Sequence, residues 1–184
     1  MALTTLDPMT ALIVIDLQKG IVGVPTAHPI DEVVKHAGAL TDAFRRHELP
    51  VVLVNVTGGA PGRAEQVRNR GELPADWADL IPELNQQPHD HPVTKRTWGA
   101  FTGTDLDEYL KKLGVTQVVV AGVSTSAGVE STARSARDYG YNVVVVVDAI
   151  TDRDAEAHRY CVEKVFPRIS ETDTTEKVLK LLRG

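Results

Sequence analysis

The sequence lacks several features that would mark other classes of protein. Cys161 is its single cysteine, which excludes an intrachain disulfide and a cysteine-rich zinc site. No apolar run approaches the ~20 residues of a membrane span, so we expect no membrane partner. The net charge is −5 without a basic stripe, which argues against nucleic-acid binding. Residues Met1 to Thr10 carry no signal-peptide pattern, and we therefore expect a cytoplasmic protein.

The remaining composition is that of an ordinary globular domain. Hydrophobic residues make up 42% of the chain and charged residues 24%, which argues against disorder and coiled coil. A chain of 184 residues can bury a sizeable core in one domain. We therefore treat residues 1–184 as a single domain.

Short apolar runs predict strands that are buried on both faces. They are rich in valine and isoleucine and lack polar alternation, which is typical of parallel strands covered by helices. A short strand before Lys95 and another over Arg168–Ser170 would complete a six-stranded sheet. The four apolar runs are Ala11–Ile15, Val51–Val56, Val118–Ala121 and Val143–Val147.

Helical patterns lie between these runs. Strand–helix alternation predicts an α/β doubly wound fold, a three-layer sandwich around a mostly parallel sheet, with expected strand order 3-2-1-4-5-6. The irregular stretch Gly58–Pro92 is typical of a lid, a binding loop or an oligomer contact, and we expect a homo-oligomer. The predicted helices are Asp31–His47, Asp105–Leu113, Ala127–Tyr139, Asp152–Val165 and Thr174–Leu182.

Three segments should meet at the carboxyl edge of this sheet. Asp16 ends the first strand, Lys95 should end the third, and Gly122–Gly128 follows the fourth. Ligands of open α/β sheets bind at this edge, where the strand order reverses. Taken alone, Asp16 is also compatible with capping a turn, and Lys95 with a solvated surface lysine.

These same segments carry a family resemblance over about Thr10–Leu182. The segment Ala121–Arg134, AGVSTSAGVESTAR, closely resembles the nucleophile-bearing turn of the isochorismatase-like cysteine hydrolases. The family's aspartate and lysine match Asp16 in IVIDLQ and Lys95 in VTKRTWGAF. In most of the family the residue that matches Gly128 is the catalytic cysteine. The chain thus resembles a subgroup in which glycine replaces the nucleophile.

The resemblance implies a role for each matching residue. Asp16 would be the acid/base residue, and Lys95 would hold it ionised and stabilise negative charge on the substrate. Gly128 would mark the nucleophile position and leave the space of a thiol, enough for one water. The Val123–Ser124 peptide would be cis; the alternative is a trans turn that caps the next helix. The implied substrate-binding residues are Gln18, Trp98, Phe101, Val123, Ser124 and Thr125, although core packing is the favoured role of an individual aromatic such as Trp98 or Phe101.

The implied function is a small-molecule hydrolase without covalent thiol chemistry. True isochorismatases also carry glycine at this position, and their acid protonates a vinyl ether that water then cleaves. They have tyrosine where this chain has Ser124. An alternative is a catalytically silent binding or regulatory protein on the same scaffold. Less favoured are a shifted nucleophile (Ser124, Ser126 or Ser131) and an amidase that uses Cys161, which is typical of a buried structural cysteine.

We expect neither a metal nor a cofactor. His89-Asp90-His91 contains metal-binding residue types, but three adjacent residues rarely converge on one ion. Nicotinamidases of the family carry an Asp-x-His metal motif after the second strand, where this chain has Asn55–Ala60. No GxGxxG or Walker pattern supports a nucleotide cofactor. A small molecule is therefore the expected partner.

Overall fold

The centre of the fold is one six-stranded parallel sheet. A computed structural model describes residues 3–66 and 72–183 of the chain. The strand order is β3-β2-β1-β4-β5-β6, which confirms the predicted order and places β1 beside β4 at the switch point. The strands are β1 (Thr10–Ile15), β2 (Val51–Val56), β3 (His91–Lys95), β4 (Gln117–Val123), β5 (Asn142–Thr151) and β6 (Glu171–Asp173).

Helices cover both faces of the sheet, as the predicted three-layer sandwich requires. Leu40 and Phe44 of α2 and Val178 of α7 pack with Leu12 in one buried cluster. Residues of α3, α4 and α6 pack with Ile13 in the other. The helices are α1 (Lys19–Val22), α2 (Ile30–Arg46), α3 (Leu106–Lys112), α4 (Glu130–Asp138), α5 (Ala155–Tyr160), α6 (Phe166–Ile169) and α7 (Thr175–Leu182), with π-helical turns at Thr125–Val129 and Cys161–Val165 and a 3₁₀ turn at Pro82–Leu84.

Two predicted strands differ most from the structure. The strand predicted over Arg168–Ser170 is wrong, because α6 occupies Phe166–Ile169 and the strand follows at Glu171–Asp173. Proline stands in the first turn of α6, a position where its fixed φ favours a helix. The strand predicted to end at Val147 continues to Thr151, past an irregularity in the β4–β5 register. Asp152 therefore lies at the carboxyl edge of the sheet.

The irregular excursion is tied to the sheet in its second half. An isolated bridge joins Gln18 to Leu80, and the Asn55 amide donates to the Ala78 carbonyl at 2.8 Å. Residues 67–71 within this stretch lie outside the described part of the chain. Across residues 3–66 and 72–183, no helix combines the length and the hydrophobicity needed to cross a bilayer.

Candidate active site

A buried ion pair joins the ends of the first and third strands. Lys95 Nζ lies 2.8 Å from Asp16 Oδ2, which confirms the predicted contact between these groups. Asp16 is 5% exposed and Lys95 3% exposed. Asp16 has φ of +51°, in the left-handed region, directly after β1. Removing buried charges from water is costly, and each group therefore depends on the other.

Lys95 reaches Asp16 across an intervening strand. It ends β3, and β2 separates β3 from β1. Its ammonium also lies 3.3 Å from the Thr97 carbonyl, which helps to orient it. The alternative of a solvated lysine is excluded by this burial.

Glycine allows the end of β4 to pack closely on β1. The Val123–Ser124 peptide bond is cis, as the resemblance implied. Gly122 has φ of +112°, and a Cβ there would collide with the backbone of Ile15. The π-helical turn Thr125–Val129 follows and leads into α4.

Gly128 faces the ion pair from this turn. A Cβ on Gly128 would lie 3.2 Å from Asp16 Oδ2 and 3.6 Å from the Trp98 carbonyl. The structure therefore brings Asp16, Lys95 and Gly128 together at one edge. The same Cβ would lie 2.9 Å from Ile15 Cγ2, so the space beside Gly128 is tight on the side of Ile15.

The predicted substrate-binding side chains occupy different surroundings. Gln18 is fully buried; its amide donates to the carbonyls of Val56 and Trp77 at 3.1 and 3.2 Å and accepts from the Val56 N–H at 2.8 Å. Phe101 is 4% exposed and packs beside Tyr139 and Tyr141. It therefore has the core position that was the alternative to substrate binding. Trp98 is 60% exposed. Val123 is buried, and Ser124 is partly exposed.

Two residues that contact the turn were missed by the sequence analysis. Asp152 Oδ2 accepts hydrogen bonds from the backbone N–H and the hydroxyl of Ser126, at 2.7 and 2.8 Å. Thr125 Oγ1 lies 2.8 Å from His158 Nδ1. Asp152 follows β5 at the same edge of the sheet as Asp16. The rule that site residues lie at the carboxyl ends of parallel strands would therefore have identified Asp152 if the end of β5 had been predicted correctly. His158 carries no sequence signal, because its contact depends on helix packing.

Cys161 has the environment of a structural cysteine. It is 2% exposed, and its thiol lies 3.1 Å from Glu130 Oε2, to which it donates. Burial, followed by the hydrogen bond to Glu130, raises the pKa of Cys161 to about 12. At neutral pH this group is therefore a thiol and a poor nucleophile.

The segment His89-Asp90-His91 does not converge on one point. The Asp90 carboxylate pairs with Arg45 Nη2 at 2.6 Å, and the His91 ring stacks on Tyr109 with centroids 3.7 Å apart. Among the residues that the structure describes, no group of three or more His, Cys, Asp or Glu is arranged to hold a metal ion.

Known proteins resemble the chain over nearly its full length. An isochorismatase domain model matches residues 10–177. The isochorismatase family protein YwoC of Bacillus subtilis is 43% identical over 184 residues, which cover 95% of this chain and 94% of YwoC. Nicotinamidase 3 of Arabidopsis thaliana is 32% identical and covers 82% of this chain, and 77% of that protein is matched. The solved structure of an isochorismatase family protein from Burkholderia thailandensis superposes with a TM-score of 0.94 at 38% identity and 98% coverage of both chains.

Proposed function

The chain belongs to the isochorismatase family of hydrolases, and we propose that it hydrolyses a small molecule by acid–base chemistry of Asp16 and Lys95, without a covalent cysteine. The observation that carries the proposal is the 2.8 Å pair of Asp16 and Lys95, buried beside Gly128. A carboxylate and an ammonium held at one point can transfer a proton and stabilise developing negative charge. Gly128 occupies the nucleophile position in this proposal and supplies no reactive atom.

The first substrate class to test is a vinyl ether such as isochorismate. For this step Asp16 must first take up a proton against the charge of Lys95; it would then transfer that proton to the terminal carbon of the enol-pyruvyl group, and water would add to the resulting cation. The ether bond then breaks and releases pyruvate and an alcohol, so the reaction consumes one water. Lys95, 2.8 Å from the Asp16 carboxylate, would stabilise the carboxylate that remains after this transfer. Ser124 replaces a tyrosine of isochorismatases, which favours testing other vinyl ethers as well.

A turnover screen with matched variants tests the proposal. Purified protein is incubated with isochorismate, simpler enol-pyruvyl ethers, nicotinamide and an aliphatic nitrile, and product is quantified by mass spectrometry. We expect turnover of a vinyl ether that falls by about 100-fold or more in Asp16→Asn, because general acid–base catalysis contributes 10²–10⁴-fold. Asp79→Asn, which changes an exposed carboxylate near Lys19, is the control. Equal rates in Asp16→Asn and wild type would overturn the proposal.

A second candidate is a binding or regulatory protein on the same scaffold. The observation in its favour is the tight filling around Gly128, where Ile15 Cγ2 lies 2.9 Å from the position of a Cβ. Under this candidate, compounds from the same screen would raise the melting temperature without being consumed. Turnover that depends on Asp16 favours the hydrolase, whereas stabilisation without turnover favours the binding protein.

A further inference from the structure

The turn beside the ion pair is also held by the connection between β5 and α5. Asp152 is 6% exposed, and its Oδ2 accepts from both the N–H and the hydroxyl of Ser126. Its Oδ1 accepts from the Arg153 N–H at 2.7 Å, so the carboxylate is itself fixed. These hydrogen bonds to a charged acceptor are strong, and they restrain one residue of the turn.

His158 holds the preceding residue of the same turn. Thr125 is fully buried and begins the π-helical turn, and its Oγ1 lies 2.8 Å from His158 Nδ1. Three residues further along, Gly128 approaches the Asp16 carboxylate. The contact therefore links α5 to the backbone that lies against the ion pair.

The surroundings of His158 favour its neutral form. The His28 ring lies 4.5 Å away between centroids, and the backbone N–H of His28 donates to Thr151 Oγ1 at 3.2 Å. Burial, and then the charge of His28, lowers the pKa of His158, whereas Asp152 acts in the opposite direction. The charged groups Arg159 and Glu163, on the helical segment of His158, line the same cavity of about 310 Å³ as the two histidine rings.

We propose that His158 is a positioning residue for the candidate site: its neutral imidazole fixes Thr125 and so holds the turn from Ser124 to Gly128 against Asp16. The proposal rests on the proposed function for the identity of the site, but the position of the turn is measurable without a substrate. Nδ1 of a neutral ring can accept from the Thr125 hydroxyl, whereas a protonated ring can only donate. Protonation would therefore reverse this bond and place a positive charge beside the His28 ring, which loosens the turn.

Amide hydrogen exchange tests this proposal residue by residue. The amides of Ser126, Ala127 and Val129 donate to Asp152 or to the Ser124 carbonyl and report on the turn. An amide of β1 reports on global unfolding in the same spectrum. We expect His158→Ala to accelerate exchange at the three turn amides about fivefold relative to β1, the value of one hydrogen bond. Exchange that stays at wild-type rates in His158→Ala would overturn the proposal.

Conservative variants separate positioning from a general structural role. His158→Asn places a polar atom near the position of Nδ1 and cannot titrate, so its turn should exchange as in the wild type. Between about pH 7.5 and pH 5.5, wild-type turn exchange corrected for the intrinsic rate should rise, and His158→Asn should not follow. His89→Gln, which removes an exposed histidine, should keep the wild-type pH response. A pH response that survives in His158→Asn would contradict the proposal.

Variants of Thr125, the residue that His158 contacts, test the proposal if His158→Ala does not fold. Thr125→Val removes the hydroxyl, and Thr125→Ser retains it, so the valine variant alone should loosen the turn. The two proposals can fail separately, and the measurements distinguish these failures. If Asp16→Asn has no effect on turnover while His158→Ala loosens the turn, the hydrolase proposal fails and the positioning proposal stands. An unchanged turn with Asp16-dependent turnover gives the reverse conclusion.

Discussion

The two π-helical turns differ in the side chain they carry and in where they place it. Thr125–Val129 lies at the carboxyl edge of the sheet and brings Gly128, without a side chain, beside the Asp16 carboxylate. Cys161–Val165 begins with the single cysteine of the chain, which lies in an apolar cluster and donates to Glu130. The reactive element and the site that would activate it are therefore in different places. Placement, more than residue type, determines which segment can take part in chemistry.

The largest expected difference between the two turns is the rate at which a thiol in each is alkylated. In Gly128→Cys, the helix N-terminus and Lys95 should lower the thiol pKa from its free value, whereas the pKa of Cys161 is raised to about 12. Because each pKa unit changes the thiolate fraction about tenfold, we expect iodoacetamide to label residue 128 at least about 100-fold faster. Peptide mass mapping at neutral pH measures both rates. Labelling at Cys161 alone would contradict the assignment of Gly128 to the nucleophile position.

The buried ion pair next to the turn Thr125–Val129 should contribute far more to the free energy of unfolding than an exposed pair of similar length. Lys95→Met leaves a buried carboxylate without its ammonium, and we expect unfolding free energy to fall by about 3–5 kcal/mol. Lys111 pairs with Asp107 at 2.7 Å but is 59% exposed, so Lys111→Met should cost less than about 1 kcal/mol. Urea denaturation at neutral pH measures both losses. Equal losses would show that burial of the Asp16–Lys95 pair has no energetic consequence.

A methyl group at residue 128 should destabilise the fold through a steric clash with Ile15. Alanine normally stabilises a helical position relative to glycine, but its Cβ would lie 2.9 Å from Ile15 Cγ2. We expect a net loss of about 1 kcal/mol in Gly128→Ala, and Ile15→Leu, which removes the branched methyl, should recover part of it. Gly38→Ala in α2 is the control, because its Cβ would have an ordinary contact at 3.7 Å. A double-mutant cycle that is additive would exclude the clash.

The smallest expected effect is a loss of stability in mild acid. The pKa of His158 is lowered in the folded protein, so the unfolded chain binds the proton at a higher pH. The contribution of His158 is therefore fully present above the unfolded value near 6.5 and decreases as the pH falls below it. Denaturation of wild type and His158→Asn at about pH 7.5 and pH 5.5 tests this sign. A wild-type loss that is no larger than the loss in His158→Asn would contradict it.

The sequence predicts the strands of the sheet better than it predicts the helix boundaries and the residues that hold the turn beside Gly128. Runs such as Val51–Val56 identify buried strands because both faces are apolar, and the ends of those strands placed Asp16 and Lys95 at one edge. The helix predicted to begin at Ala127 instead begins as α4 at Glu130, after the π-helical turn Thr125–Val129, because a single such turn is too short to show a periodicity in the sequence. The contact of Thr125 with His158 joins residues 33 positions apart through packing, which no local pattern encodes.

The most direct test of the central claim compares Asp16→Asn with Cys161→Ala in one turnover assay. The claim is that the paired carboxylate, and not the buried thiol, carries the reaction. With a vinyl ether that the wild type consumes, we expect Cys161→Ala to retain kcat/KM within about twofold and Asp16→Asn to lose about 100-fold or more. Both variants are first shown to be folded by circular dichroism. Loss of activity in Cys161→Ala with retention in Asp16→Asn would contradict the account.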